Sequence, residues 1–120
     1  MVSIIIPSLN EEKYLPATLE SIKRQDFGDV EIILADAGST DKTLEIAAQY
    51  GCRVIEGGLP ARGRNNGAKI ANGDLLFFLD ADSILPEGFF SKSLAEFNRR
   101  KLDMAGFCLI PYPKTFLTSL

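Results

Sequence analysis

The feature that most constrains this chain is an alternation. Short apolar runs, most of them rich in β-branched residues, are separated by segments whose apolar residues recur at spacings of three and four. Val2-Ser3-Ile4-Ile5-Ile6, Val30 to Ala35, Cys52 to Ile55, Leu75 to Leu79 and Met104 to Ile110 read as strands. The first should stop at Pro7, which cannot donate to a ladder. A helix from near Pro16 would bury Leu15, Leu19 and Ile22, and one from Asp41 to Tyr50, capped by Thr40 and closed by Gly51, would turn Leu44, Ala47 and Ala48 inward. A third runs from about Ala61 to Ala71, ended by Asn72-Gly73, and a fourth opens at Pro86 with Phe90, Leu94 and Phe97 on one stripe.

The order βαβαβαβαβ specifies an α/β fold: a mostly parallel sheet with helices on both faces and right-handed crossovers, Rossmann-like, in a single domain over residues 1–120. Leu75 to Leu79, five large apolar residues in succession, should be a strand covered on both faces, as in the middle of such a sheet. No G-x-G-x-x-G follows the first strand and no G-x-x-x-x-G-K-[ST] occurs, so dinucleotide oxidoreductases and P-loop nucleotidases are disfavoured.

Composition narrows the chemistry. The chain has no histidine, which removes Ser-His-Asp and Cys-His catalysis and the usual zinc sites. Lys and Arg number 13 against 16 acids and form no basic face, so no nucleic-acid partner is expected. Cys52 and Cys108 lie far apart in apolar segments and read as buried reduced thiols. No apolar run approaches the ~20 residues of a spanning helix, and the amino terminus has no basic leader, so a cytoplasmic location is expected.

Three polar clusters leave the carboxyl ends of strands: Pro7 to Glu11, Asp36 to Asp41, and Asp80-Ala81-Asp82. In open α/β sheets ligands bind at that rim. If the chain stays extended after the fourth strand, alternation puts Asp80 and Asp82 on one side and Ala81 on the other. Such a pair can hold a hard divalent cation, although Asp80 as a helix-start residue and Asp82 as a solvated loop residue is the plainer alternative for this stretch alone.

Pro7-Ser8-Leu9-Asn10-Glu11, Asp36-Ala37-Gly38-Ser39-Thr40-Asp41, Arg64-Asn65-Asn66-Gly67 through Ala71-Asn72-Gly73-Asp74, and Asp80-Ala81-Asp82 together resemble, in order and approximate spacing, the successive motifs of family 2 glycosyltransferases with the GT-A fold. The resemblance runs from Val2 to about Ile110. It implies transfer of a sugar from a nucleotide diphosphate donor of UDP or GDP type, usually with inversion, assisted by Mg2+ or Mn2+. It further implies that Asp36 accepts a hydrogen bond from the nucleotide base, and that Pro7, Ser8, Asn10 and Glu11 wall the base and ribose. Arg64 would contact the diphosphate, while Asp80 and Asp82 hold the ribose and the metal-bound diphosphate, Asp82 as the stronger metal ligand.

Two departures limit what the resemblance carries. Ala37 stands where many members have a second acid. The family's catalytic base lies in a further half, and Glu87, Glu96 and Asp103 are poorly placed to replace it, so this chain is expected to be the donor-binding half without the acceptor half. Membrane association is expected only through a region beyond Leu120. Two alternatives remain: a non-catalytic nucleotide-sugar-binding module, and a haloacid-dehalogenase-like phosphatase with Asp80 as nucleophile. The latter would need its motif on the first strand, whereas Asp80 follows the fourth.

Overall fold

The computed structural model describes residues 1–99, 107–109 and 117–119. Its centre is β1 (Val2–Ser8), whose isoleucines are fully buried. β1 pairs with β2 (Val30–Asp36) on one side and with β4 (Leu75–Phe78) on the other; β3 (Arg53–Glu56) lies outside β2. All pairings in this sheet are parallel, in the order β3-β2-β1-β4. The chain therefore steps outward from β1 through β2 to β3, then returns to the far side of β1. That reversal opens a crevice between the β1 and β4 ends, the place where open α/β sheets bind ligands.

Helices cover both faces, as expected. α1 (Leu15–Lys23), α2 (Thr43–Gln49) and α4 (Phe89–Arg99) share a core with Ile4, Ile6 and Leu34 through Leu15, Leu19, Ile22, Ala47, Phe89 and Phe90. α3 (Pro60–Ile70) lies on the opposite face, and its glycines let it approach closely. A Cβ on Gly67 would sit 2.5 Å from Ile5, and one on Gly63 3.2 Å from Ala35.

Several local expectations are corrected. β4 is an edge strand among the described residues: Leu75 and Phe77 pack on the core, but Leu76 and Phe78 are 39% and 51% exposed. α3 covers β1 and β2 and leaves the outer face of β4 open. α2 begins at Thr43, not Asp41, and Thr40 does not cap it. Asp41 accepts instead, through Oδ1, from the Thr43 amide and hydroxyl. Since the Thr43 hydroxyl also faces inward to accept from the Glu11 amide, Thr43 and Ala47 form the buried stripe, and Leu44 and Ala48 face out.

The last expected strand is described only as β5 (Phe107–Leu109). It pairs antiparallel with β6 (Leu117–Ser119) in a separate two-stranded sheet and does not extend the parallel one. A connection this short admits antiparallel pairing only. Met104 and the side chains of Phe97 and Cys108 lie outside the described residues. Cys52 is a free thiol, half-buried, and burial pushes it up to about 11, so it is chemically quiet. No helix among the described residues is long and apolar enough to cross a membrane.

Candidate functional site

At the carboxyl rim of the sheet lies a pocket of about 620 Å³ between the segments that follow β1, β2, β3 and β4. Of the residues singled out from the sequence, it brings together Pro7, Ser8 and Glu11 from the end of β1 with Asp80 and Asp82 after β4. Leu9, Leu59 and Pro60 supply apolar wall. Asp36, Asn10 and Arg64 do not line it, and each departs for a different reason.

Asp36 sits behind Ser8, at 6% exposure. Its Oδ1 accepts from the hydroxyls of Ser8 (2.8 Å) and Ser39 (2.6 Å), and its Oδ2 from the amides of Gly38 (3.0 Å) and Ser39 (2.7 Å). Burial alone would raise this carboxyl; the four donors, led by the Ser39 hydroxyl, hold it below its ordinary value. All four acceptor positions of the carboxylate are thus occupied by the protein itself.

Asn10 joins two loops. It adopts a left-handed backbone (φ 52°), which Asn tolerates better than most residues. Its amide donates to Ser39 Oγ (2.8 Å), and its Oδ1 accepts from the Thr40 amide (2.8 Å). The Glu11 amide donates to Thr43 Oγ1 (2.8 Å) and the Glu12 amide to Asp41 Oδ2 (3.2 Å). The β1 and β2 loops are therefore clasped together by side chains beyond the point where the ladder ends.

Arg64 is half-buried near the start of α3, with no hydrogen bond or ion pair among the described residues. Gly63 must face the sheet for the close approach of the helix, which turns Arg64 about 100° away from that contact. Across the rim, Gly57 has its amide on the Asp36 carbonyl (2.8 Å), and a Cβ there would lie 2.5 Å from the Ala35 carbonyl oxygen. Only glycine fits that approach, and it fixes the loop that presents Leu59 to the pocket.

The Asp80-Ala81-Asp82 stretch is not extended, contrary to the expectation from alternation. It forms a turn in which the Ser83 amide donates to the Asp80 carbonyl (3.1 Å). The outcome for the carboxylates is nonetheless the one the alternation implied: Ala81 is buried, while Asp80 and Asp82 both reach the pocket. The turn is held from behind by residues that carried no signal of function in the sequence. Thr18 of α1 donates from Oγ1 to the Ala81 carbonyl (2.8 Å), and Ser21 Oγ accepts from the Leu85 amide (3.0 Å). Gln25 donates to the Pro86 carbonyl (2.9 Å) and accepts from the Phe90 amide (3.1 Å). Only their spacing, polar residues at positions 18 and 21 on the helix face that buries Leu15, Leu19 and Ile22 and another at 25 just past the helix end, could have marked them.

The pocket is electrostatically one-sided. Burial, followed by the carboxylates of Asp82, Asp41 and Asp80, pushes Glu11 above its ordinary value, and neither Asp80 nor Asp82 has a cationic partner among the described residues. No group of three or more ligating side chains among those residues forms a closed metal cage. Two open carboxylates are nevertheless what Mg2+ or Mn2+ needs when phosphate oxygens and water complete the shell, so the donor set fits such an ion.

Comparison with known proteins places the chain in a family. The chain is 36% identical over 114 residues to the uncharacterized glycosyltransferase EpsJ of Bacillus subtilis, an overlap covering 88% of this chain and 33% of that protein. It thus spans about a third of that relative's length. Among solved structures, Staphylococcus aureus TarS 1–349 in complex with UDP-GlcNAc superposes with a TM-score of 0.77 at 29% identity, covering 90% of this chain and 33% of that one. Glucosyl-3-phosphoglycerate synthase from Mycobacterium tuberculosis, in complex with Mn2+, UDP and glucosyl-3-phosphoglycerate, gives 0.62 at 32% identity, covering 82% and 39%. The GT-A-like parallel sheet is common to this chain and TarS. The description "Glycosyl transferase family 2" matches residues 3–117, and with nearly the whole chain so matched, this protein belongs to glycosyltransferase family 2.

Proposed function

We propose that this chain binds a nucleotide diphosphate sugar together with Mg2+ or Mn2+, as the donor half of an inverting glycosyltransferase. One observation carries the reading: the rim pocket faces two carboxylates without cationic partners among the described residues, Asp80 and Asp82, against the Pro7–Glu11 wall at the reversal point of a parallel sheet. The Mn2+, UDP and UDP-GlcNAc complexes of the two structural relatives support it.

In this reading Asp82 is the direct metal ligand, and Asp80 contacts the ribose or shares the ion. When bound, the divalent ion supplies charge neutralisation to the leaving nucleoside diphosphate. Pro7, Ser8 and Glu11 form the wall beside base and ribose. Asp36 meets the base through Oδ1, because Ser8 and Ser39 hydroxyls can rotate away, whereas Oδ2 is held by backbone amides. Arg64, with its guanidinium uncommitted among the described residues, swings to the diphosphate. The carboxylate that activates the acceptor is supplied from outside these residues, and the donor half works on the cytoplasmic side.

Calorimetry with UDP, GDP and their sugars, with and without Mn2+, tests the reading. The expected result is Mn2+-dependent binding of at least one nucleotide, reduced about a hundredfold by Asp82→Ala. Absence of binding to every nucleotide in the presence of Mn2+ would overturn it.

A further inference from the structure

The Asp80–Ala81–Asp82 turn has few fixings. Among the described residues its only hydrogen bonds are the closing one from the Ser83 amide and the one from Thr18. Thr18 is the single side chain among the described residues that bonds to it. A threonine inside a helix ordinarily returns its hydroxyl to the carbonyl four residues back. Here that carbonyl, of Tyr14, lies 3.4 Å away, whereas the Ala81 carbonyl lies at 2.8 Å, across a sequence separation of 63 residues. The hydroxyl has one proton, and the shorter contact claims it.

The consequence is directional. Thr18 is 0% exposed and Ala81 3% exposed, so this bond is made in the core. Pinning the Ala81 carbonyl inward leaves the side chains on either side of it, Asp80 and Asp82, on the pocket side of the turn. Ser21 of α1 and Gln25, just past its end, continue the same row at Leu85, Pro86 and Phe90, so α1 and the turn that follows it act as a ruler for the stretch from Ala81 to Phe90. Their bonds fall beyond the carboxylates, however, and only Thr18 acts within the turn itself.

We infer that Thr18 is a positioning residue for the cation and diphosphate end of the site. Its hydroxyl sets the turn in which Asp80 and Asp82 face one ion together, and it touches neither the ion nor the donor. This inference rests on the nucleotide-sugar reading and adds a residue to it. Exact placement matters there because two carboxylates share a hard ion only when their oxygens converge, and groups supporting metal ligands from behind have large effects on affinity.

The test uses the full chain and three substitutions. Thr18→Val keeps the shape and removes the donor; Thr18→Ser restores the hydroxyl; Ser21→Ala breaks the neighbouring bond to Leu85 without acting on the turn. Affinity for Mn2+ alone is read from the electron paramagnetic resonance of the free ion, and Mn2+-dependent UDP binding by calorimetry, beside thermal unfolding of each variant. The expected result is about a tenfold loss of Mn2+ affinity in Thr18→Val, recovery to within about threefold in Thr18→Ser, and less than about a twofold change in Ser21→Ala despite a comparable fall in melting temperature. Wild-type Mn2+ affinity in Thr18→Val, or an equal loss in Ser21→Ala, would overturn the inference. If the wild type binds Mn2+ but no nucleotide, the donor reading fails while the Thr18 comparison is still decided by the ion; if it binds neither, both fall.

Discussion

The two flanks of the pocket are held by opposite means. On the β1–β2 side, the loops after Ser8 and Asp36 are tied by polar side chains that run from buried Ser8, Asp36 and Thr43 out to exposed Asn10, and the two carboxylate acceptors, Asp36 and Asp41, are charged. On the β4 side, the loop carrying Asp80 and Asp82 is tied from beneath by the neutral side chains of Thr18, Ser21 and Gln25, all buried. Phe90, at 1% exposure and packed among Phe27, Phe77 and Phe89, anchors its far end. A charged clasp depends on pH and salt; a buried neutral one depends on packing. The flank that carries Asp80 and Asp82 is thus the one whose support does not titrate.

The largest effect should come from breaking the packed flank. Phe90→Ala removes a fully buried ring from a four-phenylalanine cluster and should cost about 3–5 kcal/mol in urea denaturation. The loss should be the same at pH 7 and pH 5, since no titrating group is involved. A cost below about 1 kcal/mol would mean that the cluster is not what fixes the far end of the loop.

On the charged flank, Asp36→Ala leaves two amides and two hydroxyls without their shared acceptor, and a loss of about 2–3 kcal/mol at neutral pH is expected. Here pH matters, and its sign follows from the lowered carboxyl. A group whose folded value lies below its ordinary 3.8 stabilises the fold above that value and loses the contribution as pH falls through the folded value. The stability gap between wild type and Asp36→Ala should therefore close in acid, below about pH 3.8, while the Phe90→Ala gap stays open. Parallel acid profiles for the two variants would erase the distinction between the flanks.

This contrast also separates what was legible in the sequence from what was not. The alternation of apolar runs gave the parallel sheet and the helices on both faces, because burial periodicity is a local property of the chain. The motif residues Pro7, Ser8, Glu11, Asp80 and Asp82 were legible for the same reason, since each lies at or just beyond the carboxyl end of a strand, although β1 runs through Pro7 to Ser8 and does not stop at the proline, and the fold gathers strand ends. The position of β4 was not: five consecutive apolar residues state that a strand is apolar, not which strands flank it. Thr40 was chosen as a cap from its type, and Asp41 does that work two residues from the helix start. Thr18 was invisible because its partner lies 63 residues away and its own segment reads as a plain amphipathic helix. The internal engagement of Asp36 was hidden likewise, as two of its four donors are backbone amides that no side-chain pattern encodes.

The smallest expected effect lies where the flanks meet. Glu11 belongs to the charged clasp through its backbone, yet its carboxyl faces the pair held by the neutral one. Burial, and then Asp82, Asp41 and Asp80, raise it above its ordinary 4.5, so the folded chain holds the proton more tightly than the unfolded chain. The sign is opposite to that of Asp36: ionisation of Glu11 costs stability as pH rises through this range, and below about pH 4.5 the cost disappears. Glu11→Gln should therefore stabilise the free chain at neutral pH, by no more than a few tenths of a kcal/mol, roughly the size that solvent screening leaves to such repulsions. Saturating Mn2+ should reverse the order. An ion shared by Asp80 and Asp82 converts the charge of Glu11 from repulsion into attraction, so the wild type should gain more melting temperature on Mn2+ addition than Glu11→Gln does. Equal gains would show that Glu11 feels the two carboxylates without feeling the ion, and would confine it to the nucleoside wall.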